Sequence, residues 1–213
     1  MAYICKKHAL KLPSFASVLA VTLCLFSCSA QVNSIQSVSA SVIFDYSDLN
    51  SPPSVSLSVF AQPAYDAQRV ASVSIASIET GWEWKSDRPV VLPSKRDNGW
   101  AGFLNCVPES GKELPQGSYM FFCTDLAFDS SDTAFSVSYP RELLTLNQKD
   151  AVDFVTSRGG FVYNTALYDS DGTLLYYGEQ DADRNRYPTA RSKRTFLVSQ
   201  GLNIICMLSK EKI

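Results

Sequence analysis

The chain has 213 residues, 46% hydrophobic and 19% charged, with a net charge of −2 and a single histidine, His8. That length buries enough apolar surface to fold without a structural metal. The slightly acidic balance carries no basic excess of the kind that binds nucleic acid.

The first elements lie in residues 1–27. Lys6, Lys7 and Lys11 precede the first acid, Asp45, and an apolar stretch follows from Leu12 to Phe26. Pro13, Ser14 and Ser17 interrupt it, and a span of the ~30 Å hydrocarbon layer takes about 20 apolar residues. A basic start, a short apolar middle and a small residue at the end predict a secretory signal peptide. It closes on Leu25-Phe26-Ser27-Cys28. This run resembles the lipobox of bacterial lipoproteins, and the bulky Phe26 is similar to the relaxed boxes of spirochaete lipoproteins. The resemblance implies diacylglycerol on the Cys28 thiol, cleavage just before it, and a chain lipid-anchored to a bacterial envelope membrane, facing the periplasm or the cell surface. Two or more acyl chains anchor stably, at about 0.8 kcal/mol per buried methylene.

Removal of residues 1–27 takes away His8 and three lysines, leaving 186 residues with 16 basic and 21 acidic side chains, a net charge of −5. A Ser-His-Asp relay then has no general base, and a zinc site has no histidine ligand. No glycine-rich phosphate cradle is present, and a hydrolase using a carboxylate pair is the alternative, although no Asp or Glu stands out from the turn residues. The expectation is therefore a chain that is not an enzyme, with no cofactor, no metal and no nucleic-acid partner. Its partners would be the membrane, through Cys28, and a protein or glycan that the sequence does not specify.

Residues 28–37 are Ser-rich and predict a short tether. Val38, Ala40, Val42, Phe44 and Tyr46 then alternate with Ser39, Ser41 and Asp45, which predicts a strand. After Ser51-Pro52-Pro53, Val55, Leu57, Val59 and Ala61 alternate with serines, the pattern of a strand with one wet face. Further strands are predicted near 69–78, 81–85, 88–92, 100–107 and 117–127, with Asn98-Gly99 as a hairpin signal. Asp129-Ser130-Ser131-Asp132 reads as a turn, before a strand on Thr133, Phe135, Val137 and Tyr139. Many short strands with turn signals between them predict an all-β sandwich over residues 38–140. The stretch from Leu114 to Cys123, with Gly117-Ser118-Tyr119 at its centre, resembles the penultimate strand of immunoglobulin-like and fibronectin-type domains. In those families the tyrosine hydroxyl bonds back to the backbone. The resemblance implies an immunoglobulin-like β-sandwich. It departs from the family in its cysteines: Cys106 is too close in sequence to be the early-strand partner, and no Trp lies between it and Cys123.

Residues 141–213 differ. Asn147 predicts the cap of a helix running through Arg158, ended by Gly159-Gly160. A hairpin about Asp169-Ser170-Asp171-Gly172, a charged loop over 178–193 and a final strand over 194–208 follow. This region is either a small α+β unit or a set of strands added to the sandwich.

Three cysteines lie beyond Cys28. Cys106 and Cys123 sit on predicted strands one turn apart and form the expected disulfide, with Cys206 a buried thiol; three unpaired core thiols are the alternative. Trp82, Trp84 and Trp100 are candidates for stacking on sugar rings, although a sandwich core also takes such residues. Asp181-Ala182-Asp183-Arg184-Asn185 opens like a calcium loop, but Arg186 stands where glycine is needed and Ser192 where glutamate is needed. It reads as a solvated turn, as does Asp169-Ser170-Asp171-Gly172. The basic run Arg184, Arg186, Arg191, Lys193 and Arg194 sits beside Glu179, Asp181 and Asp183 and reads as a self-neutralising loop.

Overall fold

The computed structural model describes residues 34–179 and 184–213. The expected signal peptide with its expected lipobox residues Leu25, Phe26 and Ser27, the expected acylation site Cys28, and residues 180–183 of the charged loop lie outside the described residues.

Alternation of apolar and small polar residues builds the first hairpin. Strand β1 (Ile35–Asp45) pairs antiparallel with β2 (Ser54–Pro63), Val42 opposite Leu57 and Phe44 opposite Val55. Every second side chain of β1 turns inward, so that Val42, Phe44 and Tyr46 are buried. The strand begins at Ile35 and takes in the last residues of the predicted tether. The chain then crosses, through a 3-10 turn at Ala67–Arg69, into a second sheet at β3 (Val70–Ser77) and β4 (Glu83–Ser86). It returns to the first sheet for β5 (Val90–Leu92) and β6 (Trp100–Cys106), and crosses again to β7 (Gly117–Asp125) and β8 (Ser130–Val137). The β5–β6 hairpin needs Gly99 at φ 71°, because a Cβ there would lie 2.7 Å from the Leu92 carbonyl oxygen.

Helix α1 (Gln148–Thr156) starts where the Asn147 side chain accepts a hydrogen bond from the Asp150 amide at 3.0 Å, and Gly159 and Gly160 stop the chain at φ 70° and 65°. Strands β9 (Phe161–Tyr168), β10 (Leu174–Gly178), β11 (Ser192–Ser199), β12 (Ile204–Met207) and β13 (Glu211–Lys212) follow. The first sheet runs β10-β9-β11-β12-β1-β2-β6-β5, with β13 beside β11, and the second runs β4-β3-β7-β8. Strand β12 lies parallel to β1. The C-terminal region therefore extends the sandwich. No helix among the described residues is long and apolar enough to cross a membrane.

Two expectations change. The strand predicted over 194–208 is a hairpin, β11 and β12, folded at residues 200–203 where Asn203 takes φ 52°. The turn predicted at Asp129-Ser130-Ser131-Asp132 lies earlier, because Ser130, Ser131 and Asp132 already pair in β8 with Thr124, Cys123 and Phe122.

The core lies between the sheets. Phe44, Tyr46 and Leu57 come from one side and Ile75, Tyr119 and Phe121 from the other, all at 1% exposure or less. Burial at about 25 cal/mol per Å² of apolar surface holds the layers together. Register defines two ends. At the near end Ile35 meets Pro63, Ala61 meets Ala101 and Val70 meets Asp125; at the far end Asp45 meets Ser54, Ser77 meets Tyr119 and Gly117 meets Val137.

Candidate functional site

Three connections meet at the far end and leave an open concavity of about 870 Å³. Thr80 and Trp82 come from the approach to β4, Lys112 to Gln116 from the approach to β7, and Tyr139 and Arg141 from the exit of β8. Leu114, 1% exposed, pegs the middle segment into the core. Two tyrosines tie its backbone down: the Tyr139 hydroxyl donates to the Leu114 carbonyl at 2.6 Å and the Tyr119 hydroxyl to the Pro115 carbonyl at 2.7 Å. The Tyr139 amide donates to Gln116 Oε1 at 3.3 Å, and Arg141 Nη2 to Glu113 Oε2.

The Tyr119 bond is the backbone-directed contact that the immunoglobulin-like resemblance implies. Tyr119 stands four residues before Cys123, not the two of that family. Burial pushes its hydroxyl up to about 12, and burial likewise raises Tyr139, with the Glu113 carboxylate adding to it. Both hydroxyls therefore stay protonated as donors. Gly117 at φ 125° makes room for a carboxylate: a Cβ there would lie 2.5 Å from Glu79, whose Oε1 accepts from the Ser118 amide at 2.7 Å. That backbone bond holds the Glu79 carboxyl below its ordinary range.

Trp82 is half-buried at the wall of the concavity. Its ring lies edge-on to Trp84 at 6.2 Å, and Lys112 Nζ sits 5.7 Å from a Trp82 ring centroid. Trp84 is partly buried and packs against the core. It stacks on Tyr119 at 6.4 Å, Tyr119 stacks on Phe135 at 5.4 Å, and Trp84 Nε1 donates to the Val107 carbonyl at 2.9 Å. Trp100 opens β6 in the other sheet, opposite Leu92 at the near end. The three tryptophans therefore do not form one face, because β4 and β6 belong to different layers. Only Trp82 reaches the concavity.

The expected Cys106–Cys123 disulfide is not formed. Both are buried free thiols, as is Cys206. The stretch between Cys106 and Cys123 crosses from one sheet to the other instead of closing a hairpin. Cys123 Sγ lies 3.1 Å from Ser131 Oγ and 3.7 Å from the Tyr65 hydroxyl. Burial pushes the Cys106 and Cys206 thiols up to about 12, which keeps them protonated and unreactive.

The turn at Asp169 is satisfied by itself: Asp169 Oδ1 accepts from the Asp171 and Thr173 amides at 2.9 and 2.8 Å. The basic run is divided. Arg194 pairs with Asp45 and donates to the Leu208 carbonyl, while Arg191 donates to the Pro188 carbonyl. Lys112, Gln116, Tyr139 and Arg141 were not singled out by sequence. Their only signal is that a turn-rich segment and a strand exit flank Gly117-Ser118-Tyr119, and pairing of β7 with β8 brings these two together. Chemically the concavity offers an aromatic wall, a lysine and an arginine–glutamate pair. That set can stack on a ring and bond its hydroxyls. No protein-family model matches the chain, and neither a curated protein nor a solved structure matches it.

Proposed function

We propose that this chain is a bacterial envelope lipoprotein, held to the membrane by acylated Cys28, that acts by binding through the far end of its sandwich. The observation that carries the binding reading is the half-buried Trp82 with Lys112 on an open concavity walled by three separate segments. Support for the anchor is the Leu25-Phe26-Ser27-Cys28 run at the end of a basic, then apolar, leader. The site chemistry supports binding over catalysis. Its tyrosine hydroxyls are occupied in holding backbone, and its Glu113 carboxylate is paired with Arg141.

The concavity favours a glycan among partners. A flat indole stacks on the apolar face of a sugar, and charged and amide groups at the rim bond its hydroxyls. The tryptophan set narrows to Trp82 in this reading. A protein seated on the same surface is the scaffolding version.

Metabolic labelling with an alkyne fatty acid tests the anchor. The natural chain takes up label and Cys28→Ala does not; labelling that survives the substitution removes Cys28 from the reading. Glycan arrays probed with the protein test the partner. Trp82→Ala should weaken any captured glycan by about tenfold with an unchanged circular dichroism spectrum. A blank array with an intact fold excludes the glycan version.

A further inference from the structure

We infer that the turn at residues 126–128 rests in the lipid headgroup layer, giving the chain a second contact with the membrane beside its acyl group. Leu126 and Phe128 are 67% and 89% exposed, the highest values among the described large hydrophobics. The turn that presents them is built. Asp125, with a fully buried side chain, accepts through Oδ1 from the Ala127 amide at 2.7 Å and the Asp129 amide at 3.1 Å. Its Oδ2 accepts from Arg69 Nη2 at 2.8 Å. The Leu126 amide donates to the Arg69 carbonyl at 2.9 Å, and Phe128 is held at φ 66°. Two large apolar side chains are thus locked outward, where water surrounds them.

The start of the described chain lies at the same end. The Ser34 carbonyl accepts from the Ala64 amide at 2.8 Å, and Ile35 pairs with Pro63. Residues 64–69 link that point to the Arg69 carbonyl that receives Leu126. Cys28 is six residues before Ser34, a reach of at most about 20 Å when fully extended. An acyl group on Cys28 therefore holds the near end, and not the far end, against the bilayer. Apolar side chains at such a surface settle about 5–10 Å into the boundary of headgroups and acyl chains. The chemistry fits lipid better than protein, since a stable protein interface buries about 1,200 Å² or more in total and two side chains supply a fraction of that.

This inference rests on the anchored reading, and the test separates the two. The full-length processed protein is reconstituted into phosphatidylcholine–phosphatidylglycerol vesicles brominated on the upper acyl carbons. Phe128→Trp places a fluorophore at the turn, and Ile78→Trp places one at the far end, where Ile78 is 58% exposed. The emission added by Phe128→Trp should fall about twofold or more in brominated vesicles, as expected of a group at the acyl boundary, while that added by Ile78→Trp is unchanged. If the protein floats with the vesicles and the two positions quench alike, the anchor stands and the turn contact is overturned. A blue shift without quenching, lost on dilution among lipids, assigns the turn to a second copy of the chain and also overturns it. If the protein does not float, the anchored reading fails first and the turn contact falls with it.

Discussion

The two ends of the sandwich are built on the same strands yet solve opposite problems. At the near end β7 and β8 are joined by a short turn, and a single buried carboxylate, Asp125, satisfies its amides. The side chains left over are apolar and point outward. At the far end two of the three connections around the recess are long, from Cys106 to Gly117 and from Val137 to Gln148, and the third, from Ser77 to Glu83, is short. They wrap around Leu114, Tyr119 and Tyr139 and leave a recess lined by aromatic and charged groups. What an end presents follows from how its connections are held: one tight turn around Asp125 turns its own side chains outward, whereas two long connections and the short one from Ser77 to Glu83 together enclose a recess.

Both ends depend on the sheet scaffold that they share. A Cβ on Gly102 would lie 2.2 Å from the Val59 carbonyl oxygen and 2.7 Å from the Phe60 Cα, where β2 and β6 pair. Gly102→Val should cost about 3 kcal/mol or more, read as a lower denaturant midpoint with both ends lost together.

Alkaline pH acts on the shared middle next. Cys106 and Cys206 keep their protons to about 12 in the folded chain, above the ordinary 9.0. Above pH 9 an unfolded chain has released protons that the folded chain still holds, so stability is full below about pH 9 and falls between about 9 and 12. The slope is about 1.4 kcal/mol per pH unit for each thiol. Tyr119, up to about 12, adds to the upper part of that window. Thermal midpoints measured from pH 8 to 11 check it; a flat curve would contradict the burial of these groups.

Two substitutions act on one end each. Asp125→Ala leaves two amides and Arg69 without their acceptor and should cost about 2 kcal/mol. Hydrogen exchange should rise at residues 126–129 and stay unchanged at 112–116. Tyr139→Phe removes the 2.6 Å bond to the Leu114 carbonyl and should cost about 1 kcal/mol, with faster exchange confined to the far end. If either change spread to the opposite end, the ends would not be independent.

The sandwich itself was legible because its inward residues alternate. The faces read for β1, β2 and β8, from Val42 to Tyr46, Leu57 to Ala61 and Phe135 to Tyr139, are those turned toward the core. Asn147 caps the helix as expected, while the helix stops at Thr156, short of the expected Arg158 and ahead of Gly159-Gly160. What escaped was sheet membership. Nothing local in residues 107–116 distinguishes a hairpin loop from a crossover, so Cys106 and Cys123 looked adjacent and are not. Trp82 and Trp84 have the same parity, but the sheet starts at Glu83. Trp82 therefore lies beyond the sheet, where parity stops deciding which way a side chain faces. The turn at 126–128 escaped because Asp129-Ser130-Ser131-Asp132 carries the stronger turn composition, whereas the group that makes the turn is a carboxylate at Asp125.

The parallel pairing of β1 with β12 has a consequence for how the molecule comes into being. Val42 and Ile204 are neighbours in space and 162 positions apart along the chain. The chain emerges N-terminus first, so the early strand waits until all the intervening residues have followed before that partner is present. Until then one flank of β1 is bare, with Val42 and Phe44 uncovered on that side, and a holding chaperone would have its longest task there.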